Sequence, residues 1–237
     1  MKIIPAILPN SYYDIPNGVE KVVGAVDTVQ IDFVDGHFAS NRTWWFNNKN
    51  ADKLDALLHE DEGFPHWQEM NYEFDLMVKD PLQYIDTFVA LGPSKIIFHI
   101  EGLDQEKMIA YFETLPEIVR STITFGMAIG VDTDPQLLTP FTQYIDTVQC
   151  MGIKNVGFQG QSFDDRAIEQ IKKVKALFPD KHISVDGAVS LANAQALAQA
   201  GADTLVVGSA VFLSNDIHGT IHTLDRIWHP ANTQSEN

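Results

Sequence analysis

Three aspartates lie inside or at the end of short apolar segments of the chain. Asp32 and Asp75 each lie within a run of β-branched and aromatic residues, and Asp186 ends a third such run. None of these runs contains a lysine or an arginine, and an unpaired carboxylate is costly to bury. We therefore expect either a divalent cation among the three carboxylates or a raised pKa on at least one of them. Both conditions suit proton-transfer chemistry.

The alternation of side chains along a strand predicts that these groups converge. In the segment 28–33, Gln30 and Asp32 share one face, and Val29 and Ile31 share the other. A single aspartate at the end of a strand more often caps a helix or forms a turn than it catalyses a reaction. Three aspartates at matching depth favour one shared site at the carboxyl ends of the strands, where barrel enzymes carry their chemistry.

Glycines follow the last three apolar runs of the chain and precede helical patterns. Glycine lets backbone N–H groups approach an anion, and the loops after the last two strands of a barrel often bind phosphate. The residues that we expect to hold a phosphate group are Gly157, Gly160, Gly187, Ala188, Gly208 and Ser209.

The apolar pattern along the chain switches repeatedly between a strand-like and a helix-like period. The predicted strands are Lys2–Leu8, Thr28–Phe33, Tyr72–Val78, Lys95–His99, Thr122–Ala128, Thr147–Cys150, His182–Val185 and Thr204–Val207. The predicted helices are approximately Gly18–Val26, Asp52–His59, Pro81–Leu91, Gln105–Leu115, Pro135–Tyr144, Asp164–Leu177, Leu191–Ala200 and Ile217–Arg226. Asp80 and Asp134 each precede a proline, which predicts a capped helix start. Gly92 and Gly201 lie just past predicted helix ends.

Eight strand–helix units with no linker between them predict one α/β domain with parallel strands. A closed (β/α)₈ TIM barrel over residues 1–230 fits this number of units, and an open doubly wound sheet is the alternative. We expect residues 231–237 to form a disordered C-terminal tail.

The composition excludes several classes of partner. The 237 residues include 16 Lys and Arg against 32 Asp and Glu, for a net charge of −16. Such a surface repels nucleic acid and anionic membranes, and no run approaches the ~18 apolar residues needed to cross a bilayer. The single cysteine, Cys150, excludes a disulfide framework. We expect a cytoplasmic protein that binds neither nucleic acid nor membrane.

Seven segments, in order along the chain, resemble the ribulose-phosphate 3-epimerase family. They cover nearly the whole predicted barrel, and the segment 31–38, with its Asp-Gly-His-Phe, is the most specific of them. The segments are 4–8, 31–38, 75–78, 98–101, 157–161, 185–187 and 207–212.

The resemblance implies an isomerase that inverts C3 of a ketose phosphate, of the ribulose 5-phosphate and xylulose 5-phosphate type. One aspartate removes a proton beside the carbonyl, a second returns a proton to the opposite face, and a divalent metal stabilises the enediolate between these steps. The two catalytic aspartates correspond to Asp32 and Asp186. A small phosphorylated ketose is the expected partner, and a homo-oligomer is the expected assembly. Residues expected to line the substrate are Ala6, Val34, Met77 and Met151.

The chain departs from the family pattern at the expected metal site. Gln30 and Asp75 stand where the family has two histidines, so the metal ligands would be these two residues with Asp32 and Asp186. A set of four oxygen ligands suits Mg²⁺ or Mn²⁺ better than Zn²⁺. The expected cofactor is one divalent metal ion, with Mg, Mn, Zn and Fe as the alternatives, unless the metal has been lost. A decarboxylase branch of the superfamily uses an Asp-x-Lys pattern on the third strand, which the segment 75–77 lacks.

Other departures leave the substrate and the activity open. Ala6 and Val34 replace a serine and a methionine, and the glycine loop is one residue longer, with Gln159 in place of a glycine. We expect Trp44 and Trp45 to reshape the pocket. The alternatives are a non-catalytic phosphosugar-binding barrel that has lost its metal, or an epimerase for a different phosphosugar. For His37 and His99 we expect structural roles.

Overall fold

The computed structural model describes residues 2–228, and within this range eight parallel strands close into a barrel in sequence order. The strands are β1 (Lys2–Ile7), β2 (Thr28–Val34), β3 (Asn71–Met77), β4 (Lys95–His99), β5 (Thr124–Ile129), β6 (Thr147–Met151), β7 (His182–Asp186) and β8 (Thr204–Val207). Each strand pairs with its neighbours in parallel, and β1 pairs with β8 to complete the ring. The predicted (β/α)₈ barrel is confirmed, and the open sheet is excluded.

The helices surround the barrel. They are α1 (Asp14–Val22), α2 (Ala51–Leu58), α3 (Ile85–Ala90), α4 (Gln105–Thr114), α5 (Glu117–Thr122), α6 (Arg166–Leu177), α7 (Ala194–Ala200), α8 (Ser209–Phe212) and α9 (Ile217–Trp228). None of the helices within residues 2–228 is both long and apolar enough to cross a bilayer. The segment 231–237, predicted as a tail, lies outside the described residues.

Several predicted boundaries differ from those observed, for local reasons. The chain before β5 forms α5, which has no buried residue and therefore carries no apolar periodicity to reveal it. The predicted helix after β5 is a 3₁₀ helix over Pro135–Phe141 that contains Pro140, whose missing N–H disfavours an α-helix. Asp134 caps it as predicted by accepting from the N–H of Gln136. Asp80, in contrast, makes no such cap bond.

The two faces of each strand have different neighbours. On β2, Val29, Ile31 and Phe33 are fully buried in the shell of apolar residues between barrel and helices. The barrel interior contains many polar groups, and at its amino-terminal end the ammonium group of Lys95 lies 3.0 Å from the carboxylate of Glu73. Most of the apolar packing that stabilises the fold lies in the outer shell. Two small apolar clusters lie apart from it, Ile4 with Ala6 and Val206, and Ile97 with Ala128 and Met151.

Candidate active site

The three predicted aspartates meet at the carboxyl ends of their strands. Asp32 on β2 lies directly beside Asp75 on β3 in the strand register, and Asp186 ends β7. One oxygen of each carboxylate lies within 4.8 Å of those of the other two. Asp75 is fully buried, and Asp32 and Asp186 are 6% and 8% exposed. The barrel therefore concentrates three carboxylates at one point with a narrow opening to solvent.

Gln30 joins two of these aspartates. Its side-chain amide donates to Asp32 Oδ1 at 2.9 Å and to Asp186 Oδ2 at 3.0 Å, which uses both of its N–H groups. Its carbonyl oxygen is buried and has no hydrogen-bond partner among the described residues. A buried acceptor without a donor is costly, so this oxygen is available to a cation beside the carboxylates.

Asp75 belongs to a second set of buried polar groups. Its Oδ1 lies 2.9 Å from His99 Nε2 and its Oδ2 lies 3.2 Å from Gln149 Nε2, while Ser184 Oγ donates weakly to Gln149 Oε1 at 3.4 Å. The sequence did not single out Gln149 or Ser184. Alternation with the buried Val148 and Cys150 on β6 is the signal that would have placed Gln149 inside the barrel.

The surroundings shift the pKa values of these groups. Burial, followed by the charges of Asp186 and Asp75, raises the pKa of Asp32 well above its usual value. Burial and the charge of Asp75 raise the pKa of Asp186 to about 7. For His99, burial acts to lower the pKa, but the charge and the hydrogen bond of Asp75, together with the charges of Glu101 and Asp186, outweigh it and the pKa is raised. At neutral pH the pair Asp32 and Asp186 therefore retains protons that exposed aspartates would lose.

A pocket opens above Asp32 and Asp186 and brings most of the predicted residues together. Its walls include Ala6, Met77, Met151, Gly157, Gly160, Gly187, Ala188, Gly208 and Ser209. Val34 does not line it. This side chain is fully buried, and Gly157 packs so closely that a Cβ there would lie 3.3 Å from Val34 Cγ1. Gln30 does not line the pocket but contacts its floor by donating to Asp32 and Asp186. Asp75 is fully buried and does not line the pocket either.

The loops around the pocket are tied to one another. Asn41, in the loop after β2, donates to the carbonyl oxygen of Gly157 in the loop after β6 at 2.9 Å. Gly187 has a φ of 106°, and a Cβ there would lie 2.8 Å from Ile153 Cγ1, so no side chain is compatible with this turn. These contacts thus join the loop after β6 to the loops after β2 and β7.

The tryptophans of the loop after β2 do not lie over the pocket, contrary to the expectation that they reshape it. Trp44 is fully buried and contacts Tyr12 and Phe33, with ring centroids 5.2 and 6.3 Å away. Trp45 packs edge-on against Phe88. These rings fill the space outside β2 and anchor the base of the loop.

Cys150 is buried, and burial raises its pKa to about 12, so its thiol is not a nucleophile at neutral pH.

Comparison with known structures gives the same fold. The 3-hexulose-6-phosphate synthase of Salmonella typhimurium superimposes with a TM-score of 0.68 at 15% identity, covering 97% of this chain and 99% of that one. The structure of KGPDC from Streptococcus mutans in complex with D-R5P superimposes with a TM-score of 0.70 at 11% identity, covering 96% of this chain and 97% of that one. At these identities the similarity establishes the barrel alone.

Sequence comparison establishes the family. The ribulose-phosphate 3-epimerase of Aquifex aeolicus is 29% identical over 230 residues, which cover 94% of this chain and 96% of that protein. The enzyme of the same name from Bacillus subtilis is 28% identical over 222 residues, covering 91% and 94%. The model of the ribulose-phosphate 3 epimerase family matches residues 2–212, which include every strand of the barrel and the three converging aspartates. The chain belongs to the ribulose-phosphate 3-epimerase family.

Proposed function

We propose that this protein inverts C3 of a ketose phosphate of the ribulose 5-phosphate type. The observation that supports this most directly is the pair Asp32 and Asp186, two buried carboxylates held by one glutamine at the floor of a pocket. Inversion at a carbon beside a carbonyl needs one group on each face of that carbon, one to remove a proton and one to supply it. The placement of Asp32 on β2 and of Asp186 at the end of β7 supports such a two-sided arrangement.

Each aspartate acts on one face of the substrate. One carboxylate takes the proton from C3, the electron pair of the C–H bond moves toward the C2 carbonyl, and an enediolate forms. The other, protonated, returns a proton to the opposite face of C3, and the carbonyl re-forms. In the reverse direction the two exchange roles. Raised pKa values keep such a pair between its ionised and protonated forms near neutral pH.

The residues beneath the pocket fit a divalent cation. Gln30 offers a buried carbonyl oxygen without a donor, and Asp32, Asp75 and Asp186 offer carboxylate oxygens within 4.8 Å of one another. All four donors are oxygen, which suits a hard ion such as Mg²⁺ or Mn²⁺. A cation held there would neutralise the negative charge that develops on the substrate oxygens. His99 orients Asp75 from behind by donating to its Oδ1.

The glycine-rich loops supply the phosphate site in this proposal. Among the described residues, no lysine or arginine lines the pocket. The phosphate would instead be held by backbone N–H groups of the loops after β6, β7 and β8, which need no cation. The glycines allow this approach because they carry no side chain over the backbone.

Solvent exchange tests the proposal. The protein is prepared with Mg²⁺ or Mn²⁺ and incubated with ribulose 5-phosphate in D₂O, and the C3 proton is followed by NMR. We expect loss of the C3 proton signal together with formation of xylulose 5-phosphate. A C3 proton that is retained under both metals would overturn the proposal. Exchange of other ketose phosphates in the same assay would identify a different substrate.

A non-catalytic sugar-phosphate-binding protein is the second candidate. The observation in its favour is that Gln30 already bridges Asp32 and Asp186, so the site is closed by hydrogen bonds without a cation. Elemental analysis of protein purified without chelators separates the two. A stoichiometric divalent metal, lost in a variant that combines Asp75→Asn with Asp186→Asn, supports the enzyme, whereas metal-free protein that binds the sugar phosphate supports this alternative.

A further inference from the structure

Gln159 reaches across the pocket from the loop after β6. Its amide nitrogen Nε2 lies 3.3 Å from the carbonyl oxygen of Ala6 at the end of β1. The same nitrogen covers Gly208 at the end of β8, where a Cβ would lie only 2.7 Å from it. A side chain that starts on one side of the ring thus places its polar end where β1 and β8 meet, beside the expected phosphate loops.

The pocket is short of groups that attract an anion. Asp32 and Asp186 are acceptors when ionised, and no lysine or arginine of the described residues lines the pocket. Gln161 also lines it, but its amide donates to the carbonyl oxygens of Asn155 and Phe158 and is committed to its own loop. An anionic ligand therefore depends on neutral donors, and Gln159 is one that points across the pocket.

The present contact of Gln159 is easily exchanged. A distance of 3.3 Å is at the long end of the range for N–H···O bonds, and the amide has a second N–H. Hydrogen bonds to a charged acceptor are stronger than this neutral one. A phosphate oxygen arriving at Gly187 and Gly208 would be a better acceptor for this amide than the Ala6 carbonyl oxygen.

We propose that Gln159 is a substrate-contacting residue that donates to the phosphate group of the ligand and raises the preference for phosphorylated over unphosphorylated sugars. This rests on the proposed function, because it takes the ligand to be a ketose phosphate. Gln159 supplies a neutral hydrogen-bond donor in a pocket that no lysine or arginine of the described residues lines.

Binding of inorganic phosphate tests the proposal without requiring turnover. The dissociation constant for phosphate is measured by calorimetry on the wild type, Gln159→Gly and Gln159→Glu, with the exposed Gln136→Ala as a matched control. We expect Gln159→Gly to weaken binding about tenfold, the loss of one charge-assisted hydrogen bond. Gln159→Glu should weaken it further by charge repulsion, and Gln136→Ala should equal the wild type.

Kinetics supply a readout that a purely structural role would not change. Gln159→Gly should lower kcat/KM for ribulose 5-phosphate about tenfold and leave the slow exchange of unphosphorylated ribulose unaltered. Equal or tighter phosphate binding by Gln159→Gly would overturn the inference, and tighter binding would show that the side chain obstructs the pocket. An equal loss for both sugars would also overturn it.

The two proposals fail in different ways. If C3 exchange is present and Gln159→Gly has no effect on phosphate binding, the role of Gln159 is wrong while the epimerase proposal stands. If phosphate binding depends on Gln159 but C3 of ribulose 5-phosphate never exchanges, the epimerase proposal fails and the phosphate contact stands. A wild type that binds no phosphate contradicts the role of Gln159 directly.

Discussion

At the scale of single residues, the site is a set of carboxylates whose charge the protein does not balance with lysine or arginine. Within the described residues, Asp75 has the imidazole of His99 as its partner, whereas Asp32 and Asp186 share the neutral amide of Gln30. The pKa of Asp32 is raised by burial and by the charges of Asp186 and Asp75, and the pKa of Asp186 by burial and by the charge of Asp75. The same feature that makes the pair costly for folding makes it suitable for proton transfer.

Replacing either aspartate of this pair should stop the reaction without unfolding the protein. Asp32→Asn and Asp186→Asn keep the size of the side chain and the contact with Gln30 but remove the proton-transfer group. We expect each to lower kcat by at least about 10³-fold, at the strong end for a lost acid or base. NMR exchange in D₂O measures the rate, and circular dichroism checks the fold. Activity within tenfold of the wild type would contradict the assignment.

The raised pKa values also predict how stability depends on pH in the absence of metal. The pKa of Asp186 is about 7 in the folded protein against an ordinary 3.8, so the folded state binds more protons than the unfolded state between these values. Its contribution to stability is therefore present at low pH and lost as the pH rises through 7. Asp32 shifts in the same direction. With a chelator, we expect Tm to fall by several degrees between about pH 5 and 8.

Asp186→Asn is the control for this pH dependence, since an amide does not titrate and the fall in Tm should be smaller. Adding Mn²⁺ should raise Tm more at pH 8, where the carboxylates are ionised, than at pH 5, where protons compete with the metal. A Tm that stays constant or rises between these pH values in the presence of chelator would contradict titration of these carboxylates in this range.

At the scale of elements, the loop after β2 is held beside the candidate site by the side chain of Asp35. Asp35 is buried, and its carboxylate accepts from the N–H groups of His37, Phe38 and Lys79 at 2.7 to 2.9 Å. The Phe38 ring then packs 5.1 Å from the ring of His99, the partner of Asp75. A single side chain thus fixes a loop that borders the reacting groups.

Asp35→Ala should therefore affect both stability and activity. It leaves three backbone N–H groups without their acceptor, and we expect a loss of about 2 kcal/mol in the free energy of unfolding. Activity should fall about tenfold because the loop no longer holds Phe38 against His99. Urea denaturation and the exchange assay measure the two effects. The exposed Asp55→Ala is the control and should change neither. Normal stability in Asp35→Ala would contradict the role of the carboxylate as a tether.

At the scale of the whole molecule, a net charge of −16 opposes the approach of an anionic substrate. This repulsion acts over a long range and is screened by salt, with a Debye length of about 10 Å at 0.1 M. Neutral donors and a bound cation act only once the ligand is inside. The surface charge that the sequence predicts to repel nucleic acid should therefore also slow the entry of a sugar phosphate.

Adding chloride salt should therefore improve the apparent affinity for ribulose 5-phosphate. Between about 20 and 200 mM KCl we expect KM to fall about twofold or more with kcat unchanged, because the Debye length shortens over this range. Potassium sulfate at the same ionic strength is the control, since sulfate competes for a phosphate site and should raise KM. A KM that rises with chloride would indicate local attraction at the mouth.

The expected homo-oligomer stays a prediction, which light scattering on purified protein tests.

Much of the fold was predictable because strand and helix periods are local properties of the chain. Eight alternating units predicted the barrel, and alternation on β2 placed Gln30 and Asp32 inside it. Helix α5 was not predicted, because it has no buried residue. The proline-containing 3₁₀ helix Pro135–Phe141 was predicted as a helix but not as a 3₁₀ helix, because its apolar pattern is shared with an α-helix. The aspartates were predictable as a group, since three charges in apolar strands need a common explanation.

The sequence by itself determined the family, the barrel and the identity of its unusual oxygen-rich site. Only the tertiary structure decided which groups touch. Gln30 and Asp186 are 156 positions apart yet 3.0 Å from each other, and Gln159 meets the carbonyl of Ala6 across 153 positions. The physical reason is that the barrel is closed. The pattern along one strand fixes which way a side chain points. The distances between side chains on different strands depend on the register of the whole ring, to which all eight strands contribute.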